Sequence, residues 1–335
     1  MQRFIWIYLI FFPWMLTAHP WGGLEVDEQG KIHFAFTNPI LGDAHYASIW
    51  YVVQQDSIAS GLTSKQSPSD FVIARLPNRQ LVAAERYGSE PNHTSRTWMK
   101  REETTWTQQL IGTDTRSFVV QAFLPMDEFT ILFAKENQLF QQDHLGVITP
   151  VLAEETFERI DDLAWGPNQS IYVLEKSSLS KIDREGNYQK LATNLRVEDP
   201  EYLPFCGANI LFDLAVDEGG NVFIAYFGNR QVLKVNPQGD KTVFYQSDGP
   251  WAPHGIDERN GELYILESSI APGVNDIIPR IRKVDANGTA ITLYNHPNST
   301  DAERQHLANQ QEAIYSWIFC GVVIAGILIY TKFGR

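Results

Sequence analysis

The sequence predicts an all-β chain: a six-bladed β-propeller with an N-terminal signal peptide and a C-terminal transmembrane helix. Three observations predict it. Alternating strands separated by turn residues recur as a four-stranded unit, the unit returns every 40–50 residues, and two charge-free apolar runs lie outside the repeating part. A sheet of that size cannot bury both faces alone, but it can when packed radially against copies of itself.

The clearest unit is Phe212–Lys234, FDLAVDEGGNVFIAYFGNRQVLK, which turns at Glu218-Gly219-Gly220 and again at Gly228-Asn229. The next unit starts at Pro253, uses the hairpin signal Asn260-Gly261 and closes with Asp285-Ala286-Asn287-Gly288 before a fourth strand. The preceding unit, IDDLAWGPNQSIYVLEKSSLSKIDREGNYQKLA, turns at Pro167-Asn168 and at Arg184-Glu185-Gly186. Weaker copies lie upstream: WGGLEVDEQGKIHFAF with ASIWYVVQ, then DFVIARLPNRQLVAAE, then SFVVQAFLPMDEFTILFA. Aligning the units gives one column, Gly23, Val72, Gln121, Asp162, Asp213 and His254, with spacings of 49, 49, 41, 51 and 41. A two-domain β-sandwich is the competing architecture, but sandwiches lack this regular period.

The ends carry targeting signals. Phe4 to Leu16 is apolar behind Arg3, a secretory pattern, and cleavage after Ala18 leaves a body from residue 19; the competing reading is an uncleaved anchor. Ala313 to Tyr330 is charge-free, with Tyr315, Trp317 and Tyr330 suited to the two interfaces and Lys332 and Arg335 behind it, which places the tail in the cytoplasm and the body outside. The expected organisation is a signal peptide over 1–18, a propeller over 19–297, a polar stalk over 298–312, a membrane helix over 313–331 and a cytoplasmic tail over 332–335. The bulk of the chain is then periplasmic or extracellular.

Charge and composition exclude other classes. With 27 Lys and Arg against 40 Asp and Glu, the net charge is −13, and the exported body alone is near −16. Such a chain lacks the basic face that nucleic acid requires, so no nucleic-acid partner is expected. It would also be repelled by anionic lipid. Two cysteines, Cys206 and Cys320, exclude a disulfide framework and a Cys-rich zinc site. No Walker loop, dinucleotide glycine motif, HExxH or GxSxG is present.

Asp162, Asp213 and His254 share the column on three consecutive units. If the column starts the innermost strands, they meet at one mouth of the channel. Two carboxylates and an imidazole can hold Ca²⁺, Zn²⁺ or Mn²⁺ with open positions for water, chemistry suited to ester or lactone hydrolysis. In a calcium-like site His254 is instead a free general base, the candidate catalytic residue. The competing reading is structural: Asp at a strand start caps turns, and His254 bonds between blades. Glu85, Glu175 and Glu267 form a second column, read as structural ties. The tryptophans Trp21, Trp50, Trp98, Trp106, Trp165 and Trp251 read as blade packing, with Trp165 and Trp251 able to line a pocket beside the polar column.

The segment DLAVDEGGNVFIAYFGNRQVLKVNPQG resembles an NHL repeat, and more closely the fifth-blade signature of the senescence-marker-protein/gluconolactonase family of six-bladed propellers. The resemblance is good from about Ile160 to Leu293. It implies one divalent metal at the channel mouth, with Asp213 matching the family's metal-binding Asp and Asp162 the Asn of its PNG-type motif. The family's first-blade Glu has no counterpart, since Gly23 occupies the column and Glu25 lies two residues away. WAPHGIDERNGELYIL resembles the PHGI segment of paraoxonase-type arylesterases, which implies a catalytic part for His254.

Two functions follow as expectations. One is an exported, membrane-anchored binding module taking a small molecule or protein at the channel mouth. The other is a metal-dependent lactone or ester hydrolase built on Asp162, Asp213 and His254.

Overall fold

The computed structural model describes residues 23–37, 47–65, 69–87, 94–102, 105–109, 122–135, 137–155, 157–197, 210–270, 277–300 and 303. The signal segment, the apolar run after Ala313, most of the stalk, both cysteines, Trp21 and Gln121 lie outside them. Among the described residues no helix is long and apolar enough to cross a membrane.

Six four-stranded antiparallel sheets are formed, each from one contiguous stretch of chain. Blade one holds β1 (Leu24–Val26), β2 (Ile32–Thr37), β3 (Ala47–Gln54) and β4 (Ser57–Thr63). Blade two holds β5 (Ser69–Arg75), β6 (Leu81–Tyr87), β7 (Thr94–Lys100) and β8 (Trp106–Gln109). Blade three holds β9 (Phe123–Pro125), β10 (Ile131–Lys135), β11 (Gln138–Gln142) and β12 (Ile148–Val151). Blade four holds β13 (Ile160–Trp165), β14 (Ile171–Glu175), β15 (Leu179–Ile182) and β16 (Tyr188–Ala192). Blade five holds β17 (Leu211–Val216), β18 (Val222–Tyr226), β19 (Gln231–Val235) and β20 (Lys241–Gln246). Blade six holds β21 (Ala252–Arg259), β22 (Glu262–Ile270), β23 (Ile277–Val284) and β24 (Ala290–Asn295).

The first strand of each blade packs on the first strand of the next, and β21 packs on β1, so the ring closes at six. The apolar side chains divide the same way. Each apolar cluster joins two neighbouring blades, as when Leu174 and Leu179 of blade four meet Leu214 and Ile224 of blade five. Period-2 alternation puts one set of side chains toward the preceding blade and the other toward the following one, so both faces of every sheet are core.

No strand is exchanged between the chain ends. Blade six meets blade one side by side, through Leu266, Ile281 and Tyr294 against Leu24, Val26, Phe34 and Trp50. A small residue lets that seam close: a Cβ on Gly255 would stand 3.1 Å from the backbone nitrogen of Leu24 and 3.3 Å from the carbonyl carbon of Gly23. Gly23, with φ of +100°, packs toward blade two, its would-be Cβ 3.1 Å from the carbonyl oxygen of Ile73. On the outer side the Asp56 amide donates to the Leu293 carbonyl at 3.0 Å, and the Asn295 amide donates to Asp56 Oδ1 at 3.2 Å.

The glutamate column is structural. Glu85, Glu175 and Glu267 are fully buried. Glu85 accepts from Ser64 Oγ and Trp98 Nε1, Glu175 from Ser180 Oγ and the Glu158 amide, and Glu267 from Arg280 Nε at 2.7 Å. Each ties a second strand to its surroundings.

Candidate functional site

The six first strands run in the same direction around the axis, so their starts share one end of the ring, the upper end. Asp162 and Asp213 stand there on β13 and β17. Each carboxylate reaches sideways to the following blade. Asp162 Oδ2 accepts the Leu214 amide at 3.0 Å, and Asp213 Oδ2 accepts the Ile256 amide at 2.8 Å. Asp213 Oδ1 also accepts the Leu214 amide at 2.8 Å. The two side chains hydrogen-bond to each other.

Two adjacent half-buried carboxyls cannot both ionise cheaply. Burial pushes Asp162 up to about 7. Burial, and then the neighbouring Asp162 charge, lifts Asp213 well above the usual range. The two carboxyls titrate as a coupled pair, both above the usual carboxylate range. Glu25 faces the same polar axis. Burial and the Asp257 charge push it up, Arg75 opposes this, and Glu25 in turn raises Asp162.

His254 is set apart from this pair. The same bulge recurs in β13 between Ile160 and Asp162, in β17 between Leu211 and Leu214 and in β21 between Pro253 and Gly255, where His254 is the bulged residue. The amides of Leu214 and Ile256 play equivalent parts, so Gly255, one residue after His254, continues the Asp162–Asp213 pattern. His254 corresponds to Phe212. It is 2 % exposed, its ring centroid lies 6.1 Å from that of Phe36 and 6.3 Å from that of Phe212, and neither ring nitrogen has a hydrogen-bond partner. Burial alone drops its pKa to about 3, so the imidazole is neutral. Among the described residues no three His, Cys, Asp or Glu side chains are placed to share a metal ion.

Sequence reasoning did not single out the cluster that closes the ring on the axis. Asp257 Oδ2 accepts the Val26 amide at 2.9 Å, the same blade-to-blade link as in Asp162 and Asp213, one step further down the channel. Arg75 Nη1 stands 3.1 Å from Asp257 Oδ1, and Arg75 Nε stands 3.4 Å from Glu25. Burial works against the Arg75 charge, but Asp257 and Glu25 outweigh it and raise its pKa. Arg79 donates to the Val26 carbonyl at 3.1 Å and the Glu258 carbonyl at 2.7 Å. The available signal was a pair of basic residues, Arg75 and Arg79, four apart around the Pro77-Asn78 turn, with an acid, Asp257, just after Gly255-Ile256.

Below this cluster the channel widens into a cavity of about 580 Å³. Arg75 and Arg79 line one side, and Asp217 and Glu258 another. Trp165 lies on the wall with Pro77 and Pro167. Trp165 thus lines a pocket at the lower mouth, not beside the carboxylate pair. Trp251 is fully buried at the upper end under the Arg280 guanidinium, 4.5 Å from the ring centroid.

No family model and no curated protein sequence matches the chain. Solved structures share the fold. Virginiamycin B lyase from Staphylococcus aureus is similar at 11 % identity with a TM-score of 0.50, over 85 % of this chain and 88 % of that one. A gluconolactonase from Xanthomonas campestris is similar at 11 % identity with a TM-score of 0.46, over 73 % and 82 %. Regucalcin, a calcium-binding protein from Agrobacterium tumefaciens, is similar at 14 % identity with a TM-score of 0.43, over 64 % and 70 %. The neighbours thus include gluconolactonase-like and regucalcin-like propellers. At 11 % identity the lyase likeness shows the fold alone, and activity does not follow from fold.

Proposed function

We propose that the chain is an exported, membrane-anchored propeller that acts as a binding module for a small molecule or a protein segment at its channel. One observation carries this reading: the column carboxylates are committed to holding the ring together. Asp162 and Asp213 accept the next blade's backbone amides and bond to each other, so they serve as inter-blade latches. The cavity at the lower mouth, lined by guanidinium and carboxylate groups and by Trp165, has a size in the range of small-molecule sites, about 300–1,000 Å³. The charge-free runs Phe4–Leu16 and Ala313–Tyr330 support export and anchoring.

The metal-dependent lactone or ester hydrolase is the rival reading. It needs Asp162, Asp213 and His254 around one ion, whereas the His254 ring packs against Phe36 and Phe212. Elemental analysis of the purified protein, with melting curves in added Ca²⁺, Zn²⁺ and Mn²⁺, tests the choice. The binding-module reading expects substoichiometric metal and unchanged melting. Stoichiometric metal that disappears in Asp213→Ala restores the hydrolase.

A further inference from the structure

Strand register fixes where both chain ends leave the ring. Across blade six the pairs Pro253↔Glu267, Glu267↔Arg280 and Arg280↔Asn295 run on one level. The outermost strand β24 therefore ends at the height where the innermost strand β21 begins. The chain enters at that same end, since Gly23 precedes β1 and its would-be Cβ lies 3.8 Å from Asp213 Oδ2. Entry and exit both sit on the upper rim, the rim of the carboxylate pair.

The exit is held there. Glu303 Oε1 accepts from Trp251 Nε1 at 3.3 Å and lies 3.9 Å from Arg280 Nη1. Arg280 is itself anchored on buried Glu267 and on Asp248, at 2.7 Å and 2.5 Å. The segment leaving β24 is thus pinned over the start of blade six. Only residues 304–312 separate Glu303 from the apolar run. At roughly 3.4 Å per residue, nine extended residues reach about 30 Å. Turning the lower end to a membrane would use about 20 Å of that reach in passing down the outside of a blade.

We infer that the ring stands on the bilayer with its upper rim toward the lipid headgroups and its lower, cavity-bearing mouth toward the aqueous side. The inference rests on the anchoring reading above and adds the orientation. It names the upper rim as the surface that meets a lipid surface, and the lower mouth as the one open to soluble ligands. The headgroup surface it fits is neutral, given the body's charge near −16.

Two exposed positions on one blade test it. Lys176 follows β14 at the upper end, where its amide meets the Arg159 carbonyl, and Glu185 lies in the lower turn after β15. The full chain, with Cys206→Ser and Cys320→Ser, takes a donor dye at Lys176→Cys or at Glu185→Cys. It is reconstituted into phosphatidylcholine vesicles carrying a headgroup acceptor in the outer leaflet. Flotation with the vesicles reports anchoring, and energy transfer reports orientation. The expected result is flotation with at least twofold higher transfer at position 176. Flotation with equal or reversed transfer overturns the orientation and leaves anchoring intact. Failure to float overturns anchoring, and the orientation with it. Glu303→Ala is expected to float while the difference between the two positions shrinks; an unchanged difference overturns the clamp.

Discussion

The seams around blade five and the seam that closes the ring make the same backbone link by opposite electrostatic means. At the first, Asp162 and Asp213 take the next blade's amides, and burial and their mutual repulsion disfavour their charge. At the second, Asp257 takes the Val26 amide and meets two guanidiniums, Arg75 and Arg79. A buried carboxylate must be neutralised or paired. The two seams flanking blade five use carboxyls that resist ionisation. The seam between the chain ends uses pairing, and its arginines come from blade two, so three blades are tied at one point.

The largest expected effect is at the closing seam. Asp257→Ala removes the acceptor of two amides and leaves Arg75 and Arg79 facing each other, at a cost of about 3–5 kcal/mol, read from urea unfolding. At the other seams Asp213→Ala strands the Ile256 amide and costs about 1–3 kcal/mol. Asp213→Asn keeps the shape and a donor toward Asp162 and is expected to be close to neutral at pH 7. A larger loss in Asn than in Ala would break the comparison.

Acidity sharpens it further. Asp162 and Asp213 have raised pKa values, so the folded chain holds their protons more tightly than the unfolded chain does. Their stabilising contribution is full below about pH 4 and is lost as pH rises through the raised values, about 7 for Asp162. Asp27 behaves oppositely. Burial disfavours its charge, but hydrogen bonds from His33 and Lys100 outweigh this and hold it below the usual carboxylate range, so its contribution is lost on acidification. Urea midpoints at pH 5 and pH 8 should differ less in Asp213→Asn than in the parent chain. The smallest effect is on the solvent side of the closing seam, where Asp56→Ala is expected to cost no more than about 1 kcal/mol in the same assay.

The ring was legible because turn chemistry and strand alternation are local. Asn260-Gly261 and Glu218-Gly219-Gly220 announce hairpins wherever they stand, and all six blades appear where the repeat places them. The meeting of Asp162 with Asp213 was legible for the same reason, since equal spacing puts equivalent residues on one level. Register within a strand was not. All three blades share the bulge, and in blade six the column falls on Gly255, so His254 matches Phe212 rather than Asp213, and a one-residue slip changes the face a side chain presents. Arg75 and Asp257 were hidden because they meet across a seam joining residues 182 positions apart, a contact with no local signature.

Contiguous blades give the order in which the molecule can be finished. Each sheet is complete as soon as its own stretch has been made, but the apolar edge of Leu24 and Val26 has to wait for Leu266 and Ile281, which are synthesised last. During synthesis the first sheet therefore carries an uncovered sticky edge for most of the chain's length, and a helper protein at that edge would be released when the final sheet arrives.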